Sequence, residues 1–343
     1  MTAPLKQTVG IDVAKQELVV SLAKMNQDLS TEIFACKTFI NNHQGFERLV
    51  GWVTKHTTRQ VSVHYVMEAT GVYHEPLAYY LSNHGLLVSI VLPNKVSNYS
   101  RTLDIKTVTD KTASQAIARF ALANELKVWQ QPKAAFRTLR QLTRERDQII
   151  AERTLLKNQL HAELTEAFPN ERSIGRINTR IALLNNQETE IKSEIADLIN
   201  KDKELVEQID MITSIPGVGK LTAIIVIAET SGFELIKSKK QLVSYAGLDV
   251  KEKISGISVK GKAKISKKGN RHLRKAMHMP ALAALRSDER LKAVFVRLLS
   301  RHGIRMKATV AIQRKLLELI YILWRKNERY NKDYLQRVSI GNS

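Results

Sequence analysis

The sequence holds a single cysteine, Cys36, among 343 residues. That excludes an internal disulfide and a cysteine-built zinc finger, suits a reducing cytosol, and leaves Cys36 to be read as a small buried hydrophobe. No uninterrupted apolar run reaches membrane-spanning length, and Met1–Gln7 lacks the charged-then-apolar plan of a signal peptide. Aromatic residues are few, at 6%, and glycine and proline, at 15 and 7, are too sparse for a repetitive or low-complexity chain. Acid is the scarce charge: 33 Asp and Glu stand against 54 Lys and Arg, a net charge of +21. With no membrane anchor, an excess of that size points to nucleic acid.

The first third alternates strand and helix patterns. Thr8–Val13 and Glu17–Leu22 read as a hairpin around Ala14–Gln16. Val61–Met67 alternates apolar and polar as a half-buried strand does, and Leu86–Leu92 is a continuous apolar run that suits an interior strand. Tyr73–Asn83 and Ser114–Ala123 have helical periodicity. The predicted fold is α/β, a mixed sheet flanked by helices. Beyond Pro132 the chain turns helical and charged. Leu142, Ile149 and Leu156 recur every seven residues, as do Ile177, Leu184, Ile191 and Leu198; a second series, Ile181 and Ile195, is interrupted by Glu188. Such seams predict an antiparallel helical hairpin or a dimer-forming coiled coil. From Asp210 glycine becomes frequent, a basic stretch follows, and helices run to about Arg329. The expected division is 1–130, 131–208, 209–330 and a polar tail, 331–343.

Three acids stand where chemistry is plausible. Asp12 lies inside an apolar strand, a costly place for a carboxylate without a partner or a metal. Glu68 ends the strand Val61–Met67, and Asp110 opens a helix, where it would serve either as a plain N-cap or as a ligand. Carboxylates converging from strand ends and a nearby helix suit Mg²⁺ or Mn²⁺. In the C-terminal third, Ser214-Ile215-Pro216-Gly217-Val218-Gly219-Lys220 resembles the turn of a helix-hairpin-helix, whose backbone N–H groups face a phosphate. Between Lys253 and Ser287 there is no acid, while Lys260, Lys262, Lys264, Lys267, Lys268, Arg271, Arg274 and Lys275 fall there; together with Lys220 they are the candidate phosphate contacts. Ser255, beside Gly256 in this basic setting, is a candidate nucleophile, though Ser258 and Ser266 are equal to it on chemistry alone. His272 and His278 read as groove or core residues.

Taken in order, Gly10-Ile11-Asp12-Val13-Ala14-Lys15, Met67-Glu68-Ala69-Thr70-Gly71, Thr109-Asp110-Lys111, Ser214–Gly219, Tyr245-Ala246-Gly247-Leu248, Ser255-Gly256 and Ile265–Asn270 resemble the DEDD transposases of the insertion-sequence one-hundred-and-ten group, which includes Piv-type invertases and RNA-guided bridge recombinases. The resemblance implies a RuvC-like, ribonuclease-H-type N-terminal domain holding Mg²⁺ on Asp12, Glu68 and Asp110. It implies a coiled coil that forms a homodimer or homotetramer, and a mainly helical C-terminal domain in which Ser255 joins covalently to DNA. A structured guide RNA would pair with target and donor DNA, in a cytoplasmic, nucleoid-associated setting. The sequence departs from the pattern at one point: the second Asp expected three residues after Asp110 is Ala113, leaving a three-acid site, a substitute such as Asp104, or an inactive chain; Val108 also replaces a common Lys. Two other readings stand beside this one: a RuvC-type nuclease using metal-activated water, and a non-catalytic nucleic-acid-binding protein.

Overall fold

The computed structural model describes residues 3–331 apart from 70, 104–106, 108, 235, 252–253, 256–258 and 261–263; at Asn94, Ile254, Ser255, Val259 and Lys260 it describes the backbone alone. The chain divides into two compact units, Met1–Gln131 and Pro132–Ser343.

The first unit opens with β1 (Lys6–Val13), β2 (Glu17–Met25) and β3 (Thr31–Ile40), followed by α1 (His43–His56), β4 (Val63–Glu68), α2 (Glu75–Asn83), β5 (Leu87–Val91), α3 (Pro93–Ser100) and α4 (Asp110–Ala123). The sheet order is β3-β2-β1-β4-β5. The first three strands form an antiparallel meander, and β4 and β5 run parallel to β1. Alternation along β1 sends Val9, Ile11 and Val13 into the core that also takes Phe46, Leu49 and Val53 of α1 and Leu77 and Leu81 of α2. The opposite face carries Thr8, Gly10 and Asp12 and receives α4, where Thr8 Oγ1 donates to the Ala118 carbonyl at 3.1 Å and the Ser21 and Ser114 hydroxyls lie 2.7 Å apart.

The hairpin, β4 and the two helices follow the sequence patterns closely, and the α/β expectation holds. Two expectations change. Leu87–Val91 is not interior: it is the last strand of the sheet, and its apolar character is explained by the segment 127–129 beside it, with Trp129 N donating to Val88 O at 2.7 Å. Cys36 is exposed, because β3 is the opposite edge strand and most of its residues face solvent. β3 and α1 themselves gave weak sequence signals. β3 lacks a buried face that would impose alternation, whereas α1 rests on three apolar positions and an Asn42 cap that accepts from Gly45 N at 2.8 Å.

The second unit contains α5 (Ala134–Thr165), α6 (Glu171–Asn200), α7 (Lys203–Thr213), α8 (Lys220–Thr230) and α9 (Lys239–Tyr245). Four two-residue strands follow, β6 (Val250–Lys251), β7 (Ile254–Ser255), β8 (Val259–Lys260) and β9 (Lys264–Ile265), and then α10 (Arg271–Ala276), α11 (His278–Ser287), α12 (Glu289–His302) and α13 (Arg305–Lys326). α5 and α6 form an antiparallel helical hairpin: Arg146 meets Glu188, Arg153 meets Asn185, and Glu163 meets Ser173. Leu142, Ile149, Ile177, Leu184, Ile191 and Ile195 are buried along it. Glu188, the residue that breaks the apolar series, is itself buried and lies among Arg146 at 3.0 Å, Lys192 at 2.8 Å and Arg153. α8 is apolar on nearly every side and forms the centre of this unit's core. Among the described residues no helix is long and apolar enough to cross a membrane.

Candidate acidic site and basic arm

Asp12 is the penultimate residue of β1, and Glu68 is the last residue of β4. The parallel register pairs Ile11 with Met67, so the two acids lie one step further along neighbouring strands, about 4.8 Å apart in the pairing direction. Asp110 is brought to the same end by α4. The helix approaches β1 over Gly10, where a Cβ would stand 2.2 Å from the Ser114 carbonyl oxygen and 2.3 Å from the Ala118 nitrogen. Only glycine allows that approach, and Asp110 is one turn ahead of Ser114 on the helix. Asp110 is not the cap. Thr109 accepts from Thr112 N at 3.2 Å while Thr112 Oγ1 accepts from Thr109 N at 2.8 Å, a reciprocal box that caps the helix without the exposed Asp110 carboxylate.

Electrostatics tie the three acids together through Asp12. Burial raises the Asp12 carboxyl above the usual carboxylate range, and the Asp110 charge adds to that rise. Burial likewise raises Glu68, with the Asp12 charge adding to it. No cation of the chain forms an ion pair with either group among the described residues. Hard oxygen donors that repel one another and lack a cationic partner fit a divalent ion in donor type. Among the described residues, no three His, Cys, Asp or Glu side chains are drawn together closely enough to enclose one ion. Ala113 is half-buried one turn into α4, and Asp104, the suggested substitute, lies outside the described residues, as do Thr70 and Val108.

In the second unit Ser255 lies in an arm made of two short antiparallel strand pairs. Val250–Lys251 pairs with Lys264–Ile265 at its root, and Ile254–Ser255 pairs with Val259–Lys260 further out, with Ser255 opposite Val259. The root is tied to the turns on either side: Ser266 N donates to Asp249 O at 2.9 Å, Lys267 N to Gly247 O at 3.1 Å and Asn270 N to Tyr245 O at 2.6 Å. Lys220, Lys264, Lys267, Lys268 and Arg271 are exposed. Lys275 shares Asp147 with His272, at 3.2 Å and 3.7 Å, and His278 contacts Gln313 at 3.0 Å. Arg274 is half-buried and donates to Ala246 O at 2.9 Å, so part of its guanidinium holds the fold. Lys262 and Ser258 lie outside the described residues. The turn before α8 is packed inward at Gly217, whose Cβ would stand 2.5 Å from Ala284 N, while Gly219 and Lys220 stay open.

Sequence reasoning missed the polar node beneath this arm. Glu229, 2% exposed, receives Arg144 Nε at 2.7 Å, Arg144 Nη2 at 2.8 Å and Asn270 Nδ2 at 2.6 Å. Asn270 Oδ1 meanwhile caps α10 through Leu273 N at 2.9 Å. The signal was an acid closing the apolar run of α8, which is as costly as Asp12 in its strand.

Residues 9–169 match a family model described as "Transposase", and residues 209–295 match one described as "Transposase IS116/IS110/IS902 family". The chain is similar to the "Pilin gene-inverting protein" of Moraxella lacunata, 30% identical over 331 residues that cover 95% of this chain and 98% of that protein. It is also similar to the "Transposase for insertion sequence element IS1111A" of Coxiella burnetii, 25% identical over 273 residues, 72% of this chain and 73% of that one. Among solved structures, the RuvC protein of T. thermophilus in complex with a Holliday junction substrate is 11% identical, with a TM-score of 0.25, covering 33% of this chain and 91% of that one.

Proposed function

This chain belongs to the insertion-sequence transposase family that includes the pilin gene-inverting proteins, and from that membership we propose that it is a DNA recombinase that exchanges strands through a phosphoserine link at Ser255. The observation that carries this reading is the uncompensated set of acids: Asp12 and Glu68 side by side on parallel strands with Asp110 delivered by α4. The N-terminal unit is read as RuvC-like and of ribonuclease-H type, with its meander followed by two parallel strands as support.

Mg²⁺ or Mn²⁺ held by Asp12, Glu68 and Asp110 would supply neutralisation of the negative charge that builds on a phosphoryl group. The Ser255 hydroxyl attacks the phosphorus of a DNA phosphodiester. A phosphoserine ester forms, one bridging P–O bond breaks, and the serine proton ends on the released strand hydroxyl. A second strand hydroxyl reverses the step, which frees Ser255 and reseals the DNA in a new order. Lys264, Lys267, Lys268 and Arg271, exposed at the root of the arm, hold strand phosphates, and Lys220 at the open start of α8 adds another contact. Lys260, Lys262, Arg274 and Lys275 are the remaining candidate phosphate contacts of the basic stretch. The α7–α8 turn is read as helix-hairpin-helix-like and the α5–α6 hairpin as a coiled coil between protomers, so that acids of one copy meet the serine of another. A structured guide RNA, pairing with target and donor DNA, supplies the sequence choice. The domains follow as 1–130, 131–208 and 209–330, with 331–343 as a tail.

The test is a denaturing gel of the protein with Mg²⁺, the RNA flanking its element and labelled DNA. A protein-linked DNA band that vanishes in Ser255→Ala is expected. Cut DNA with free ends and no linked band would overturn the serine mechanism in favour of metal-dependent hydrolysis. Binding without either product would assign the chain to the catalytically silent reading, with Ala113→Asp as the variant that restores the missing carboxylate.

A further inference from the structure

The acids and the basic arm leave one feature of the first unit unexplained. Between the end of β3 and α1 lies a cavity of about 440 Å³, lined by Lys37, Phe39, Arg48, Gly51, Trp52 and Lys55 among others, with no acid in its wall. Phe39 belongs to the core face of the sheet, opposite the face that carries Asp12, so the cavity is separate from the acidic site. Lys37, Arg48 and Lys55 are exposed, and among the described residues none of them is in an ion pair. Arg48, Gly51 and Lys55 share one stripe of α1, with the two cations two turns apart, about 10 Å along the axis.

Glycine in a helix interior is the poorest choice after proline, and its missing side chain lets a ligand approach the backbone closely. On this same helix Gly45 is required by the fold, because a Cβ there would stand 1.9 Å from the Ile40 carbonyl oxygen. A Cβ at Gly51 would meet nothing within 4 Å. The space above it is open, and it lies between two cations. Beside it, Lys37 Nζ stands 5.5 Å from the centre of the Phe39 ring. Phe39 and Trp52 pack at 5.5 Å with their planes 59° apart, the His56 ring lies 5.1 Å from that of Trp52, and Trp52 as a whole is partly buried.

We infer that this cavity is a binding site for a single strand of nucleic acid, with the strand backbone lying on α1 over Gly51. Its phosphates face Lys37, Arg48 and Lys55, and a base stacks on Trp52. An aromatic surface flanked by cations suits an unpaired strand, since a base within a duplex has no free face to offer. The inference rests on the reading that this chain handles nucleic acid, but not on the Ser255 reaction. It adds a strand contact on the first unit to those proposed on the second.

The experiment measures binding of fluorescein-labelled dT20 and U20 to the full-length protein by anisotropy over a sodium chloride series. It compares wild type with the triple variant Lys37→Ala, Arg48→Ala, Lys55→Ala and with Gly51→Leu. Each single-strand phosphate contact contributes about 0.7 to the log–log salt slope, so the triple variant is expected to lose about 2 from it. Gly51→Leu is expected to weaken binding while raising the thermal midpoint, a pairing that damage to the fold cannot produce. A 5-iodouracil strand is expected to cross-link within 37–55. Loss confined to U20 identifies the occupant as RNA, and loss confined to dT20 identifies it as DNA. Unchanged slopes with both strands and no cross-link in 37–55 overturn the site. Binding is read without covalent linkage, so failure of the Ser255 mechanism leaves this outcome readable.

Discussion

Asp12 and Glu229 are both carboxylates set in apolar chain, one in a strand of the first unit and the other at the end of a core helix of the second, and the fold treats them in opposite ways. Burial pushes the Glu229 carboxyl up, but hydrogen bonds from Arg144 and Asn270 and the Arg144 charge outweigh it, and the net displacement is downward. Glu188 is also lowered, to about 2, by the hydrogen bond from Lys192, helped by Arg153 and Arg146 against its burial. Asp12 and Glu68 have no such partners and are displaced upward. An acid whose charge the fold compensates is part of the architecture. One whose charge is left uncompensated, and is worsened by another acid, is held ready for something the chain itself does not supply.

The largest expected effect is at Glu229. Removing one partner of a buried ion pair typically costs about 3–5 kcal/mol, and because the Arg144 side chain retains 38% exposure the lower end applies here. Urea unfolding of Glu229→Ala is therefore expected to show a loss near 3 kcal/mol; a change below about 1 kcal/mol would place Glu229 with ordinary surface pairs. Next comes acid sensitivity at Glu188. Its folded pKa is lowered from 4.5 to about 2, so its contribution is present above the unfolded value and is lost as pH falls from about 4.5 through about 2. Glu188→Gln is expected to flatten the pH dependence of stability in that window, and an unchanged profile would show that the hairpin does not use the charge. The smallest effect has the opposite sign. Asp12→Asn removes a charge that the fold disfavours, so in EDTA its thermal midpoint is expected to rise slightly above wild type. Added Mg²⁺ should then raise the wild-type midpoint and leave the variant where it was. Equal responses of the two proteins to Mg²⁺ would erase the distinction between the two kinds of acid.

Much of the candidate site was legible because its signals are local. A polar residue in an apolar strand, as at Asp12, is visible without any knowledge of the fold, and so is the acid-free basic run around Lys264–Arg274. The hairpin of β1 and β2 follows from two β-rich runs around Ala14–Gln16, and α5 and α6 follow from their seven-residue seams. Asp110 was ambiguous because cap and ligand look the same in sequence; the Thr109–Thr112 box resolves it only through backbone geometry.

Composition, periodicity and the order of short motifs determined the α/β and helical halves, pointed to nucleic acid as the class of partner and singled out Asp12, Glu68 and Asp110. Tertiary structure decided which charges are compensated, since Arg144 and Asn270 reach Glu229 across 85 and 41 residues. It also decided that Leu87–Val91 is an edge, that Cys36 faces solvent, and that Gly10 and Gly51 do different work: a helix presses on one, and open space lies above the other. Periodicity reports which face of an element is apolar. Which groups meet on that face depends on contacts between distant parts of the chain, and those exist only once it has folded.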